Sequence, residues 1–142
     1  MLMWDQQGLV CQLLDGEDVL TEQVFSSASS SRFKLGDREY TIELDADWFS
    51  SALKVSRGDV VVAEMKVGMG GTGPLRFAEG ALYHWGYSPQ VGEKSMLWQD
   101  SEEQERLRFT RGSVQDSSAG LSEEDRMILL CVGWFQLAEK QT

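Results

Sequence analysis

The sequence predicts an all-β fold, an antiparallel barrel or strongly curled sheet, that encloses one hydrophobic helix near its C-terminal end. Apolar and polar side chains alternate along most of the chain, turn signals recur about every 8–12 residues, and a long apolar run stands late in the sequence. With 142 residues the chain can bury about two-thirds of its surface. We therefore expect one domain over residues 1–142, with strands over roughly residues 8–110 and the buried helix over roughly residues 122–138.

The clearest predicted hairpin lies in the first third of the chain. Residues 32–35 alternate between basic and apolar side chains, and residues 40–45 alternate between apolar and polar ones. Gly36 and Asp37 between them supply a tight turn. This pattern is typical of two antiparallel strands with one wet and one dry face.

A second predicted hairpin follows, with its turn at Gly58, where glycine tolerates the positive φ that a tight turn requires. The returning strand, residues 60–67, begins with three valines. Because it is apolar on both faces at its start, it is the best candidate for a central strand. Residues 68–74, which include four glycines, are predicted to form a loop.

Shorter segments raise the expected number of strands to about eight to ten, which is typical of a sandwich or a barrel. The serine-rich residues 26–31 indicate a polar loop or an edge strand. The remaining predicted strands lie in residues 9–14, 19–25, 75–77, 82–85, 96–98 and 105–109.

The predicted helix is the most informative segment. Ser122 can accept a hydrogen bond as an N-cap, and the three acidic residues that follow it favour the positive end of a helix dipole. Residues 127–135 then carry no polar side chain. At about 100° per residue this run covers every side of a helix, and such a helix must be buried or lie in lipid. It is too short to span a bilayer, so we expect sheet to surround it.

Several segments resemble a known family. These are residues 32–42 (RFKLGDREYTI), 75–85 together with 97–100, and the terminal helix at 121–137. They are similar to segments of the tubby, phospholipid scramblase and LURP-one-like group. The resemblance implies a closed antiparallel barrel threaded by a hydrophobic helix, with phosphoinositide binding on the outer surface or action at membranes. The acidic calcium segment of scramblases has no clear counterpart here, so the resemblance implies no metal ligands.

Charge and composition exclude several classes of function. The formal net charge of −10 argues against nucleic acid and anionic membrane as general partners, because both require clustered cations. No secretory signal and no apolar stretch of about 18 residues is visible. We therefore expect a cytoplasmic protein without a transmembrane helix.

No catalytic, cofactor or metal site is predicted. Cys11 and Cys131 lack metal-ligand spacing, and we expect buried thiols rather than a disulfide. His84 is the one histidine, and it has no apparent nucleophile to activate. The glycine-rich segment at 68–74 lacks the ending of a phosphate-binding loop, and the acidic clusters at 15–18 and 45–47 lack calcium-loop spacing.

Two sets of residues remain as candidates for binding. Arg106, Arg108 and Arg111 could contact lipid phosphates, but we favour the alternative that they balance nearby glutamates across a turn. Trp48 and Phe49 are aromatic residues in a predicted loop, suited to recognition of a protein or to packing over the barrel mouth. We favour a non-catalytic cytoplasmic interaction or scaffold module that binds another protein. The alternative is a peripheral lipid-binding or phosphoinositide-binding module.

Overall fold

The computed structural model describes residues 1–46, 51–68, 70–88 and 94–139, which form a closed antiparallel β-barrel around one α-helix. Each strand pairs with its neighbours in sequence, and the first pairs with the last. The predicted fold class is therefore confirmed. The elements are β1 (Leu2–Gln7), β2 (Val10–Asp15), β3 (Asp18–Ser27), β4 (Ser30–Leu35), β5 (Arg38–Ala46), β6 (Ser51–Arg57), β7 (Val60–Val67), β8 (Gly73–Phe77), β9 (Leu82–Tyr87), β10 (Met96–Asp100), β11 (Glu105–Thr110), β12 (Ser113–Asp116) and α1 (Glu123–Glu139).

The barrel is closed by two strands that the sequence did not predict. β1 and β12 lie outside the expected strand region of 8–110, and with them the described residues form twelve strands rather than about eight to ten. Leu2 lies opposite Val114 and Met3 opposite Ser113. β12 is four residues long with one apolar side chain, which is too little for an alternation signal. β1 does alternate, but no turn signal precedes it.

Both predicted hairpins are present, with one correction to the second. β4 and β5 join through Gly36 and Asp37, and β6 and β7 join through Gly58, whose φ is 60°. However, Val60 is 56% exposed and Val61 is 36% exposed. The apolar start of β7 therefore does not mark a strand buried on both faces, since the wall of a filled barrel has one dry side.

The predicted loop at residues 68–74 is shorter than expected, because Gly73 and Pro74 begin β8. At Gly73 the two strands approach so closely that a Cβ would lie 1.9 Å from the carbonyl oxygen of Lys66. Glycine is thus required there by a close backbone approach and not by a loop. The serine-rich residues 26–31 form the turn between β3 and β4 and the adjoining strand ends, in a wall that has no edge.

Helix α1 begins one residue after its predicted cap and lies inside the barrel. The Asp125 amide donates to Ser122 Oγ over 3.1 Å, which confirms the N-cap. From Met127 to Phe135, every residue with a side chain is at most 3% exposed. A helix that is apolar all round needs such an enclosure, and here twelve strands supply it.

Polar side chains from opposite parts of the wall fix the rotation of the helix. Trp98 Nε1 on β10 donates to the carbonyl oxygen of Leu129 over 2.8 Å. Gln23 Nε2 on β3 donates to the carbonyl oxygen of Cys131 over 3.1 Å. Both acceptors are backbone carbonyl oxygens of α1. The two hydrogen bonds from the wall therefore fix the position of α1 along the barrel axis and its rotation about its own axis.

Aromatic side chains complete the packing of the interior. Trp134 stacks on Trp4 of β1 with ring centroids 5.5 Å apart, and Phe135 stacks on Phe25 of β3 at 5.8 Å. Trp85 and Trp98 are fully buried. The core therefore extends from the helix to the wall on several sides, and the helix occupies the space that a lipocalin-type barrel leaves for a ligand.

Candidate functional site

We call the mouth of the barrel at which α1 begins the upper mouth. There one carboxylate of the helix is hydrogen-bonded to side chains of the barrel wall. Glu124 in the first turn of α1 accepts hydrogen bonds from Tyr40 at 2.5 Å, Arg57 at 2.8 Å and Arg38 at 3.1 Å. Burial and the bond to Glu124 raise the pKa of Tyr40. This network ties the helix to β5 and β6, so it is an anchor rather than an open binding site.

A second anchor at the upper mouth joins the helix to β12. Asp116 accepts from Arg126 Nε at 2.9 Å and Nη2 at 2.7 Å, and also from the backbone and side chain of Ser118. Burial raises the pKa of the Asp116 carboxyl, but the bonds from Ser118 and Arg126 outweigh it and hold that pKa below its usual value.

We expect Asp116→Asn to lower the free energy of unfolding by about 1–3 kcal/mol at pH 7, because it removes the charge-assisted bonds. A carboxyl with a lowered folded pKa contributes stability above its unfolded pKa of about 3.9, and that stability is lost as the pH falls through the folded value. The gap between wild type and variant should therefore be full at pH 7 and shrink below about pH 4. Urea unfolding across this range measures it, with Asp59→Asn in an exposed turn as the control. A gap independent of pH would contradict the assigned role.

The arginines singled out from the sequence are held by carboxylates. Arg106 on β11 pairs with Asp100 at 3.2 Å, and both side chains are 17% exposed. Arg106 also donates to the carbonyl oxygen of Ala119 at 2.7 Å. Arg108 is nearly buried and pairs with Glu105 at 2.5 Å. Arg111 lies in the exposed β11–β12 turn with a φ of 58°. The three therefore do not form one open cationic patch.

The other residues considered from the sequence fall in different places. Trp48 and Phe49 lie outside the described residues. His84 is exposed on β9. Cys11 and Cys131 are free and buried, as predicted, and burial raises the pKa of both thiols.

Within the described ranges, no cluster of three or more His, Cys, Asp or Glu side chains is placed to hold a metal ion. Over the same part of the chain, no helix has the length and apolar character needed to cross a bilayer.

The outer surface of β1, β2 and β3 carries two apolar rows, and we call this surface the β1–β3 face. In the first row Met3 lies opposite Leu14, and Leu14 lies opposite Val19. In the second row Val10 lies opposite Val24. Met3 is 49% and Val19 is 50% exposed, so the first row is open to solvent on β1 and β3, while Leu14 between them is half-buried.

A polar row separates the two apolar rows. Asp5 lies opposite Gln12, and Gln12 lies opposite Glu22. Gln12 Nε2 donates to Glu22 Oε1 over 3.2 Å, and Gln7 Nε2 donates to Asp5 Oδ2 over 3.3 Å. The middle of the β1–β3 face therefore presents two carboxylates between apolar rows, and the rows lie about 13 Å apart along the strands.

The β1–β3 face continues into a groove of about 500 Å³ beside β4. The β3–β4 ladder ends at the pair Gln23 and Phe33. Beyond that pair, Thr21 Oγ1 donates to the carbonyl oxygen of Lys34 over 2.6 Å. The groove that results is lined by Val19, Leu20, Thr21, Glu22, Val24, Arg32, Phe33, Lys34, Gly36 and Glu39.

No protein-family model, no curated protein and no solved structure matches this sequence. The β1–β3 face itself was missed by reasoning from the sequence. Met3 and Leu14 are far apart in the chain, and only the strand register brings them together. The signal that could have revealed it is the set of outward-facing apolar residues on β1 to β3, which are Met3, Val10, Leu14, Val19 and Val24.

Proposed function

We propose that this protein is a non-catalytic interaction module that binds a partner protein through its β1–β3 face. The observation that carries the proposal is the pair of solvent-accessible apolar rows, Met3–Leu14–Val19 and Val10–Val24, on three adjacent strands. Exposed apolar side chains grouped on one face and bordered by polar residues are typical of interaction sites. The groove beside β4 adds concave surface to it.

The filled interior of the barrel favours a binding role over catalysis. The space inside the barrel is occupied by α1 and its aromatic contacts. Burial raises the pKa of both thiols, which disfavours a reactive thiolate. Two unbridged thiols also suit a reducing compartment, which supports a cytoplasmic location as part of the proposal.

Charge complementarity indicates the chemistry of the partner. Asp5 and Glu22 occupy the row between the apolar rows, and the chain carries a net charge of −10. A positively charged partner would be attracted at long range and matched at contact. The 13 Å separation of the rows corresponds to about four residues of extended chain. The expected partner segment is therefore extended, with two apolar side chains four residues apart and Lys or Arg midway between them.

The lipid alternative is supported less well. Its candidate cations Arg106 and Arg108 are paired with Asp100 and Glu105, so binding phosphates would first have to break those pairs. We expect no flotation of the protein with phosphatidylserine-containing vesicles at low salt. Salt-sensitive flotation that Arg106→Glu/Arg108→Glu abolishes would favour the lipid-binding function instead.

Selection from a displayed random peptide library tests the proposal. Peptides that bind the wild-type protein should share the apolar–x–basic–x–apolar spacing. Asp5→Lys/Glu22→Lys should weaken their binding about tenfold or more, which is about 1.4 kcal/mol. Fluorescence anisotropy with a selected synthetic peptide measures the dissociation constant.

The matched control for this experiment is Glu43→Lys/Glu64→Lys. These exposed carboxylates lie on β5 and β7, and their reversal changes the net charge by the same amount. Long-range electrostatics would then affect both variants equally, whereas contact at the β1–β3 face affects one. Equal losses in the two variants, or selected peptides with acidic centres, would rule out the proposed docking surface.

A further inference from the structure

Carboxylates are concentrated at the upper mouth of the barrel. Because the strands alternate in direction, five hairpin turns lie at this mouth. Each of these turns carries at least one carboxylate and no lysine or arginine, and the acidic residues are Glu17, Asp37, Asp59, Glu79, Glu102 and Glu103. The described residues in the turns at the opposite mouth include no carboxylate. The upper mouth is therefore the end of the molecule that attracts cations.

Asp125, in the first turn of α1, is a partly buried carboxylate without a cationic partner. Asp100, Asp116 and Glu124 at the same mouth each pair with at least one arginine. Asp125 forms no ion pair within the described residues. Burial raises its pKa, and the nearby carboxylates of Glu79 and Glu124 raise it further. One cation would remove this repulsion.

The hydroxyl of Tyr83 lies within electrostatic range of Asp125. Tyr83 is only 6% exposed, and its ring packs edge-on against Phe77 with centroids 5.5 Å apart. The hydroxyl forms no hydrogen bond within the described residues. Unlike Trp85 Nε1, however, it is not one of the fully enclosed polar atoms. A ligand bound at Asp125 can therefore reach an unpartnered oxygen held in place by a buried ring.

We propose that Asp125 and Tyr83 form a site for one cationic side chain, lysine or arginine, of a partner protein, with Glu79 at its rim. Within the described ranges no cluster of three carboxylates, histidines or cysteines is placed to hold a metal ion, so an organic cation with N–H donors suits these oxygens better. Its charge-assisted hydrogen bonds would do for Asp125 what arginine does for Glu124. The site lies between α1 and β8 to β10, so the inference goes beyond the β1–β3 face and does not rest on it.

A tetralysine peptide with blocked ends tests the inference on the full chain. The titration is made at about 0.15 M salt, where charges more than about 8 Å apart are largely screened. Amide chemical shifts should change at Gly80, Tyr83 and Asp125. The bound ammonium group should also lower the pKa of Asp125, which the chemical shift of its carboxyl carbon measures.

Two variants remove the proposed ligand atoms, and a third is the control. Asp125→Asn should weaken binding at this site about tenfold or more, and it keeps the backbone donor that bonds to Ser122. Tyr83→Phe should weaken binding about threefold to tenfold, the effect of one hydrogen bond. Its ring can still pack on Phe77, so this variant should fold. Asp59→Asn makes the same change of charge in an exposed turn of the same mouth, and it should alter binding by about twofold or less.

Three results would overturn the inference. Equal losses in Asp125→Asn and Asp59→Asn would show attraction to the whole acidic mouth and no defined site. Unchanged binding by Tyr83→Phe would show that the hydroxyl contacts no ligand. Spermidine that bound at Asp125 where the peptide did not would show a site for a small polyamine instead of a protein side chain.

Discussion

Leu130→Asp is expected to abolish folding. Leu130 is fully buried in the middle of α1, with the wall of the barrel around it. A charged carboxylate there would cost several kcal/mol or more, because no cation or water can reach it. Protonation avoids the charge but still loses the apolar packing, which is worth about 2–5 kcal/mol. Together with the cost of burying the polar carboxyl group, that loss approaches a total stability of about 5–15 kcal/mol. Val132→Asp should behave in the same way.

Circular dichroism and the dispersion of amide resonances measure the outcome. Leu9→Asp makes the same chemical change at a position that is 64% exposed, and it should fold with near-wild-type stability. If Leu130→Asp also showed a cooperative unfolding transition near that of the wild type, the helix would not be enclosed in solution and the described architecture would be wrong.

Gly133→Val is expected to destabilise the fold by about 3 kcal/mol, at the upper end of the usual cost of overpacking a core. A Cβ at Gly133 would lie 2.6 Å from Cζ of Phe109 and 2.8 Å from its Cε1. The Phe109 ring cannot easily withdraw, since it is 1% exposed and packs edge-on against Trp85 with centroids 5.4 Å apart. In an exposed helix, replacing glycine normally improves helix propensity by a few tenths of a kcal/mol or more. The expected sign is therefore reversed here.

A double-mutant cycle identifies the contact responsible. Phe109→Leu shortens the side chain that Gly133→Val would meet, so the double variant should lose less stability than the sum of the two single variants, by about 0.5–3 kcal/mol. Gly86→Val is a control, because a Cβ at Gly86 meets its nearest atom at 3.7 Å. Strict additivity of Gly133→Val and Phe109→Leu in urea unfolding would show that the helix does not approach β11 as described.

The fold could be predicted largely because of one segment. Residues 127–135 have no polar side chain, and once they are placed in a helix that is too short for a membrane, only a surrounding sheet can cover them. The β4–β5 hairpin was equally predictable, because its alternation and its turn agree. Local sequence preference and the global fold coincide at both places, which is the condition under which local reasoning succeeds.

Closure and the binding surface could not be obtained in this way. The first and last strands, β1 and β12, pair through Leu2 and Met3 and so close the sheet into a barrel. No local pattern in the sequence specifies a partner that lies so far away along the chain. Gly73 was assigned to a loop because it lies among other glycines, although its role is to allow two strands to approach closely. The β1–β3 face depends on register, since a shift of one residue would turn Leu14 inward and Leu13 outward.

The position of α1 after all twelve strands has a consequence for synthesis. The ribosome synthesises all twelve of these strands before it synthesises α1, at about 5–20 residues per second. During that interval no helix covers the inward-facing side chains of the strands. Trp4, for example, lacks its stacking partner until Trp134 has been synthesised. The nascent wall is therefore exposed to aggregation and to chaperones until α1 emerges. A chain terminated before Ser122 would contain every strand of the barrel and still lack the centre around which the barrel closes.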